Sequence, residues 1–193
     1  MSRIDDLIAE HCPNGVEYVP LGDLLDYEQP TPYLVSSQDY SDEFPTPVLT
    51  AGQTFVLGYT DEESGIYPAS VKSPVMIFDD FTTAYKWVDF PFKAKSSAMK
   101  MLTLKQGAPA LFRFVFYAMS CIDYVPVDHA RHWISKYSYF KIPVPPVEVQ
   151  REIVRVLDTF TELEAELKAE LEARRHQYEY YRDRLLTFDE APA

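Results

Sequence analysis

Apolar positions recur along this chain with three different spacings, and each predicts a different element. From Pro146 onward they fall at Val149, Ile153, Val156, Phe160, Leu163 and Leu167, in steps of 4, 3, 4, 3 and 4. This is the seam of a heptad helix. A further step of four to Leu171 reads as a stutter. The pattern resumes through Arg174, Tyr178, Tyr181, Leu185 and Phe188, with Arg174 its one charged member. Pro146 is tolerated at a helix start, and neither Pro nor Gly returns before Pro192. The spacing predicts one helix over 146–188, about 60 Å long at 1.5 Å per residue. One small domain cannot cover so long a stripe, so the seam calls for a second helix, most economically that of a second copy. The alternative is a helix packed on its own domain.

The middle of the chain, from Leu24 to Val144, carries short runs instead. Thr46–Thr50, Phe55–Tyr59, Val75–Phe78, Tyr85–Phe90 and Lys100–Leu104 are rich in β-branched or aromatic residues and bounded by Gly, Pro, Ser or Asp, as strands are. Ala110–Cys121 places Leu111, Phe112, Val115, Phe116 and Met119 at helical spacing behind Pro109. Ahead of this body, Ser2 caps a helix over Arg3–His11, which stops at Cys12-Pro13-Asn14-Gly15. Val16–Val19 reads as a strand and Pro20–Asp23 as a turn. The expected fold class is α/β (α+β). An irregular mixed sheet-and-helix domain over 1–145 precedes the long coiled-coil helix of 146–188 and a tail, 189–193.

Composition excludes disorder, since 47% of the residues are hydrophobic and 15% aromatic. No segment has the plan of a signal peptide. The longest apolar stretch, Ala108–Met119, is interrupted by Arg113 and is too short to span a bilayer. Cys12 and Cys121 stand far apart, outside any CxxC, and suit a reducing cytoplasm as free thiols. Cys121 is expected in the core. The net charge of −12 is unevenly spread. Residues 1–71 hold 1 basic and 13 acidic side chains, residues 72–141 hold 10 and 5, and residues 142–193 hold 7 and 12. A basic middle between acidic flanks fits a DNA reader docked to protein partners, because screening confines each charge to a reach of roughly 10 Å. Ordinary charge scatter is the alternative.

Several phrases resemble a known family. Ile142-Pro-Val-Pro-Pro-Val-Glu-Val-Gln-Arg-Glu-Ile-Val-Arg-Val-Leu-Asp158 is similar to the junction in specificity subunits of type I restriction–modification enzymes. There a target-recognition domain gives way to a long spacer helix through a "PPxxxQREI" phrase. Phe160–Leu186, with its Arg174–Arg182 stretch, also resembles that helix. Pro47–Phe55, Ile77–Thr83, Phe92–Ala98 and His129–Ile134 resemble one subtype of recognition domain. Full-length members carry two recognition domains and two spacer helices, whereas this chain has one of each. The resemblance therefore implies a non-catalytic half-subunit, a natural half-gene product, a truncated piece or a cut-down remnant, whose homodimer mimics a full one. Its helices pair antiparallel through Val149, Ile153, Val156, Phe160, Leu163, Leu167, Leu171, Tyr178, Tyr181 and Leu185. Double-stranded DNA and methyltransferase subunits are the implied partners, with the restriction subunit reached indirectly, and no membrane or cofactor is expected.

Candidate DNA contacts fall in three clusters. Lys86, Lys93, Lys95 and Lys100, interleaved with Ser96 and Ser97, supply charge and hydroxyls to phosphates or bases; a solvated lysine face is the alternative. Arg131 suits a guanine, and His132, Lys136 and Tyr137 suit phosphates or base edges. Trp133 between them reads as a core anchor. Thr50, Gln53 and Thr54 flank a Gly-bearing loop in which Gln53 suits adenine, or which is a plain hairpin turn. Other chemistry is weak. His129-x-x-His132 lacks further zinc ligands. Asp79-Asp80 points to opposite faces of a strand, and more simply closes it or bonds backbone amides. The 6 glycines form no phosphate-binding loop. A pure interaction module, a coiled-coil dimer with acidic docking surfaces and no DNA reading, stays open as the second reading.

Overall fold

The computed structural model describes residues 3–52, 54–128 and 130–188. Ser2, Gln53, His129 and the tail 189–193 lie outside the described residues. The chain divides into two compact units, residues 1–151 and residues 152–193.

The first unit opens with helix α1 (Arg3–His11), closed by Cys12 and by Gly15 at φ 87°. Strand β1 (Glu17–Pro20) pairs antiparallel with β9 (Lys141–Val144), placing Tyr18 opposite Pro143. A two-stranded ribbon leaves Pro143 an outer edge that needs no N–H. Pro20–Asp23 is not a free turn. Leu21–Leu24 form a helical turn, α2, because Leu21 and Leu24 both bury completely.

Strands β2 (Leu25–Glu28), β8 (Met99–Leu104), β5 (Val75–Asp79) and β6 (Tyr85–Val88) form an antiparallel sheet in that order. β5 is central and buried on both faces, which is why its sequence, Val-Met-Ile-Phe, is continuously apolar. Strands β4 (Val56–Thr60), β3 (Thr46–Leu49) and β7 (Lys93–Ala94) form a second sheet, with β3 and β7 parallel. Leu49, Val75, Ile77, Val88, Phe92 and Met101 belong to one buried cluster that draws on both sheets. On the other face of β5, Phe78 meets Trp133 and Tyr137 at centroid distances of 5.2 and 4.9 Å. Those rings come from α4 (His132–Ser135) and the 3-10 turn after it. Trp87 meets Phe112 and Phe116 of α3 (Phe112–Met119). Cys121, expected in the core, is exposed, because α3 ends at Met119.

Two buried polar groups tie distant segments together. Lys93, expected at DNA or on a solvated face, is 3% exposed and pairs with Glu62 at 2.8 Å. Its ammonium also donates to the Ser64 carbonyl, and Glu62 accepts from the Ser36 and Ser37 amides. Gly65, at φ 62°, keeps this site closed, since a Cβ there would lie 2.6 Å from the Pro32 carbonyl. Lys93 and the two amides hold the Glu62 carboxyl down at about 2, against an ordinary 4.5. A carboxylate with a depressed folded value stabilises above its unfolded value, and that contribution fades as pH falls from about 4.5 towards 2. Urea midpoints measured across this window are expected to fall more steeply for the parent chain than for Glu62→Gln; parallel curves would contradict the assignment.

The second group is Gln150. It is fully buried, donates to the Pro109 and Pro145 carbonyls at 3.0 and 2.7 Å, and accepts the Leu111 amide at 2.7 Å. Leu111 caps α3, so one side chain satisfies a helix N-terminus and two proline carbonyls. Helix α5 (Val147–Leu186) begins here, with the Val149 and Gln150 amides donating to the Pro146 carbonyl. The second unit is the remainder of α5, a helix of 40 residues in all.

Candidate nucleic-acid interface

Folding separates the residues expected at DNA into two sets. Lys93, Lys100, His132 and Tyr137 are interior and offer nothing to a phosphate. Lys100 is fully buried and its ammonium lies 3.1 Å from Asp80 Oδ2, outside the favourable hydrogen-bonding direction. Its position between Met99 and Met101 forces it inward, because it sits opposite Phe78 in the register and shares that strand face. Burial pushes the Tyr137 phenol up to about 12. The charge on the basic middle is thus partly spent inside the fold.

The other set stays at the surface. Thr54, Ser96, Ser97, Arg131 and Lys136 are exposed, while Thr50, Lys86 and Lys95 are half-buried. Backbone hydrogen bonds draw most of them into one rim. The Lys95 amide donates to Leu49, the last residue of β3, which fixes the 95–98 loop beside the Thr50 hairpin. The Asp80 amide donates to Ala98, and the His132 amide donates to Asp80, so the β5–β6 turn and the start of α4 join the same rim. Asp80 Oδ1 also accepts the Trp133 amide at 2.8 Å. The Asp79-Asp80 pair therefore does bond backbone amides, as expected: Asp79 Oδ1 accepts those of Phe81 and Thr82. At the hairpin, the Thr50 hydroxyl donates to the Thr54 carbonyl and accepts the Gly52 amide, the geometry of a tight turn. The Lys95 ammonium donates to the Tyr40 hydroxyl at 3.0 Å.

A ring of polar contacts holds the last loop of the rim. The Tyr124 hydroxyl lies 3.0 Å from His132 Nδ1, and His132 Nε2 lies 3.3 Å from the Asp128 carbonyl and 3.4 Å from its carboxylate. Lys136 closes the ring at 3.7 Å from Asp128. A hydrogen bond to Tyr124 and the charge of Asp128 hold the Lys136 ammonium above its ordinary range. His132 is thus a structural post, and its interior place explains why Arg131 beside it points outward as the exposed N-cap of α4. Among the described residues, no group of three or more His, Cys, Asp or Glu is placed to hold a metal. No helix among them is long and apolar enough to cross a membrane.

On α5 the seam residues differ sharply in exposure. Val149 lies within the first unit at 1% exposure and has no surface to offer a partner. Ile153 and Val156 are half-buried. From Phe160 the stripe is open: Leu163, Leu167 and Leu171 are 47%, 56% and 52% exposed, and Tyr178, Tyr181 and Leu185 are exposed as well. Phe160, Leu163, Leu167 and Leu171 line one apolar groove with the stems of Glu164 and Lys168, which pair at 2.7 Å. Arg174, the charged member of the seam, is engaged by Glu170 and Gln177.

Residues 13–173 match the type I restriction modification DNA specificity domain. The chain belongs to that family. Its rim and the open first half of its seam both fall inside the matched span. The specificity subunit of the Escherichia coli type I restriction enzyme EcoR124I/EcoR124II is 56% identical over 184 residues, covering 91% of this chain and 45% of the relative. A putative type I specificity subunit of Haemophilus influenzae is 38% identical over 90 residues, 40% of this chain and 23% of the relative. The fold is shared with the crystal structure of a type I restriction–modification S subunit from M. genitalium, with a TM-score of 0.65 at 17% identity over 92% of this chain and 48% of that one. The chain spans about half the length of these two larger matches. Within the specificity family frame, the "QREI" phrase has a physical meaning here: Gln150 is the clasp that closes the domain where the long helix starts.

Proposed function

We propose that this chain reads DNA sequence as a half-length specificity subunit, dimerised through α5, for methyltransferase subunits that carry the chemistry. The observation that carries the reading is the open apolar stripe from Phe160 to Leu185 on a chain that belongs to the specificity family. An exposed stripe of leucine and tyrosine costs solubility unless another helix covers it. A second copy lying antiparallel supplies the same stripe and brings a second rim at a fixed distance. Two-fold symmetry then requires a split target, two inverted half-sites around an unread spacer. The acidic N-terminal segment and the charged outer face of α5 serve as docking surface for the methyltransferase, through which the restriction subunit is reached. This places the chain in the cytoplasm and assigns it no catalytic residue.

The test is selection of bound sequences from a randomised duplex library at low salt. Two inverted half-sites at constant separation are expected. No enrichment would favour the interaction module without DNA reading, and a single asymmetric site would remove the symmetric dimer. Two substitutions separate roles within the rim. Arg131→Ala is expected to relax choice at one base position, losing about 1–3 kcal/mol of discrimination there. Lys95→Ala is expected to weaken all sequences alike and reduce the salt slope by about one. A uniform loss for Arg131→Ala, or an unchanged slope for Lys95→Ala, would contradict these assignments. Charge reversal on the outer face of α5 is expected to abolish co-purification with a cognate methyltransferase.

A further inference from the structure

The β5–β6 turn was not among the sequence-derived DNA contacts, yet it is the most tightly specified segment of the rim. Asp79 accepts two amides inside it, the Thr83 amide donates to the Asp79 carbonyl, and the Asp79 amide donates to Ala84. Thr83 sits at φ 59°, a left-handed conformation that a β-branched residue adopts only under constraint. The result is a rigid tip that holds Phe81 at 37% exposure and Thr82 in solvent. Facing it is the loop before α4, where Val127 is 88% exposed although valine gains nothing from water. Phe81, Thr82, Pro126, Val127 and Asp128 line one shallow groove. Both walls are anchored to the same residue, Asp80, through its neighbour Asp79 on one side and through the amides of His132 and Trp133 on the other.

We propose that this groove reads an A·T pair in the major groove, with the thymine methyl seated between Phe81 and Val127. The inference rests on the DNA-reading function proposed above and names one base contact within it. The chemistry of the lining matches the edge of that pair. A·T presents a methyl, the O4 acceptor, the N6 amine donor and the N7 acceptor across the major groove. Phe81 and Val127 supply apolar contact for the methyl. The Thr82 hydroxyl accepts the Ala84 amide at 3.3 Å, which leaves its own proton to donate to O4 or N7. Asp128 supplies an acceptor for the adenine amine. The Ala130 amide and the charge of Lys136 hold its carboxyl below the ordinary range, so it stays ionised and accepts only. A G·C pair has no methyl to seat, so the apolar walls discriminate against it.

The experiment uses the full chain and the duplex recovered by selection. Each thymine is replaced singly by deoxyuridine, which deletes only the methyl. One position per half-site is expected to lose about fourfold in affinity, the worth of one buried methyl. In Phe81→Ala and, separately, in Val127→Ser, binding to the thymine duplex weakens and the deoxyuridine penalty at that position disappears. Val127 is so exposed that its substitution leaves the fold intact. Sequence-specific binding in which no thymine responds, or a penalty that persists in both variants, would overturn this contact alone. Failure to select any sequence would overturn the DNA-reading function and this contact with it.

Discussion

Replacing Leu163 and Leu167 together by glutamate is expected to split the dimer and weaken binding to a two-half-site duplex by about 10²–10⁴-fold, while affinity for an isolated half-site stays unchanged. The size follows from linkage. In the proposed dimer, two linked rims would make the second contact intramolecular, and that gain would be lost when the rims separate. The direction follows from the seam. Both leucines are half-exposed neighbours on one groove of α5, and in an antiparallel pair each meets the seam of the partner helix. Two glutamates per chain would place four carboxylates in a buried apolar stripe, where unpaired charge costs several kcal/mol per ion. Glutamate is a strong helix former, so α5 itself persists. Far-UV circular dichroism should therefore match the parent while the mass in solution halves. Unchanged two-site affinity in a monomeric variant would show that the rims act independently.

Asp80→Ala is expected to lower stability by about 3–5 kcal/mol, the cost of stranding one partner of a buried ion pair. For a chain of this size that corresponds to a fall in Tm of roughly 6–20 °C. Two losses combine. Lys100 loses its carboxylate partner in a site that is 1% exposed, and the Trp133 amide loses its acceptor. The double variant Asp80→Asn, Lys100→Met removes both charges and keeps an oxygen for Trp133, so it is expected to recover most of the loss. Thermal melts of the three proteins check the account. A single variant as stable as the parent would mean that the pair holds nothing together. Because Asp80 also joins the β5–β6 turn to α4, the double variant is expected to retain sequence choice, which the same selection measures.

Periodicity carried most of the architecture. The five strand runs of the body, helix α1, helix α3 and the long α5 all lie where local spacing put them, within a few residues. The elements that spacing did not reveal are short. β2, β7, β9 and α4 have two to four residues each and are held by partners far along the chain. For the candidate site, the direction in which each side chain points was not legible. Lys93 and Lys95 differ by two positions, yet one is interior because Glu62 meets it, and the other reaches Tyr40 at the surface. No local pattern predicts a carboxylate 31 positions away. Lys100 did carry a signal. A lysine inside Met-Lys-Met-Leu on a strand is either an edge residue or a buried charge with a partner, and Asp80 is that partner. Strand alternation spoke against a shared ion at Asp79-Asp80, and both carboxylates accept backbone amides in the structure. The same alternation cannot show that their turn carries Phe81 to the rim.

The symmetric two-rim arrangement is tested most directly by the mass of the unmodified chain in solution, measured by light scattering over a dilution series. The account predicts a particle of twice 22.3 kDa that persists to low concentration. A particle of 22.3 kDa across the whole series would contradict it, leaving the stripe from Phe160 to Leu185 without its second copy and the inverted target without its cause.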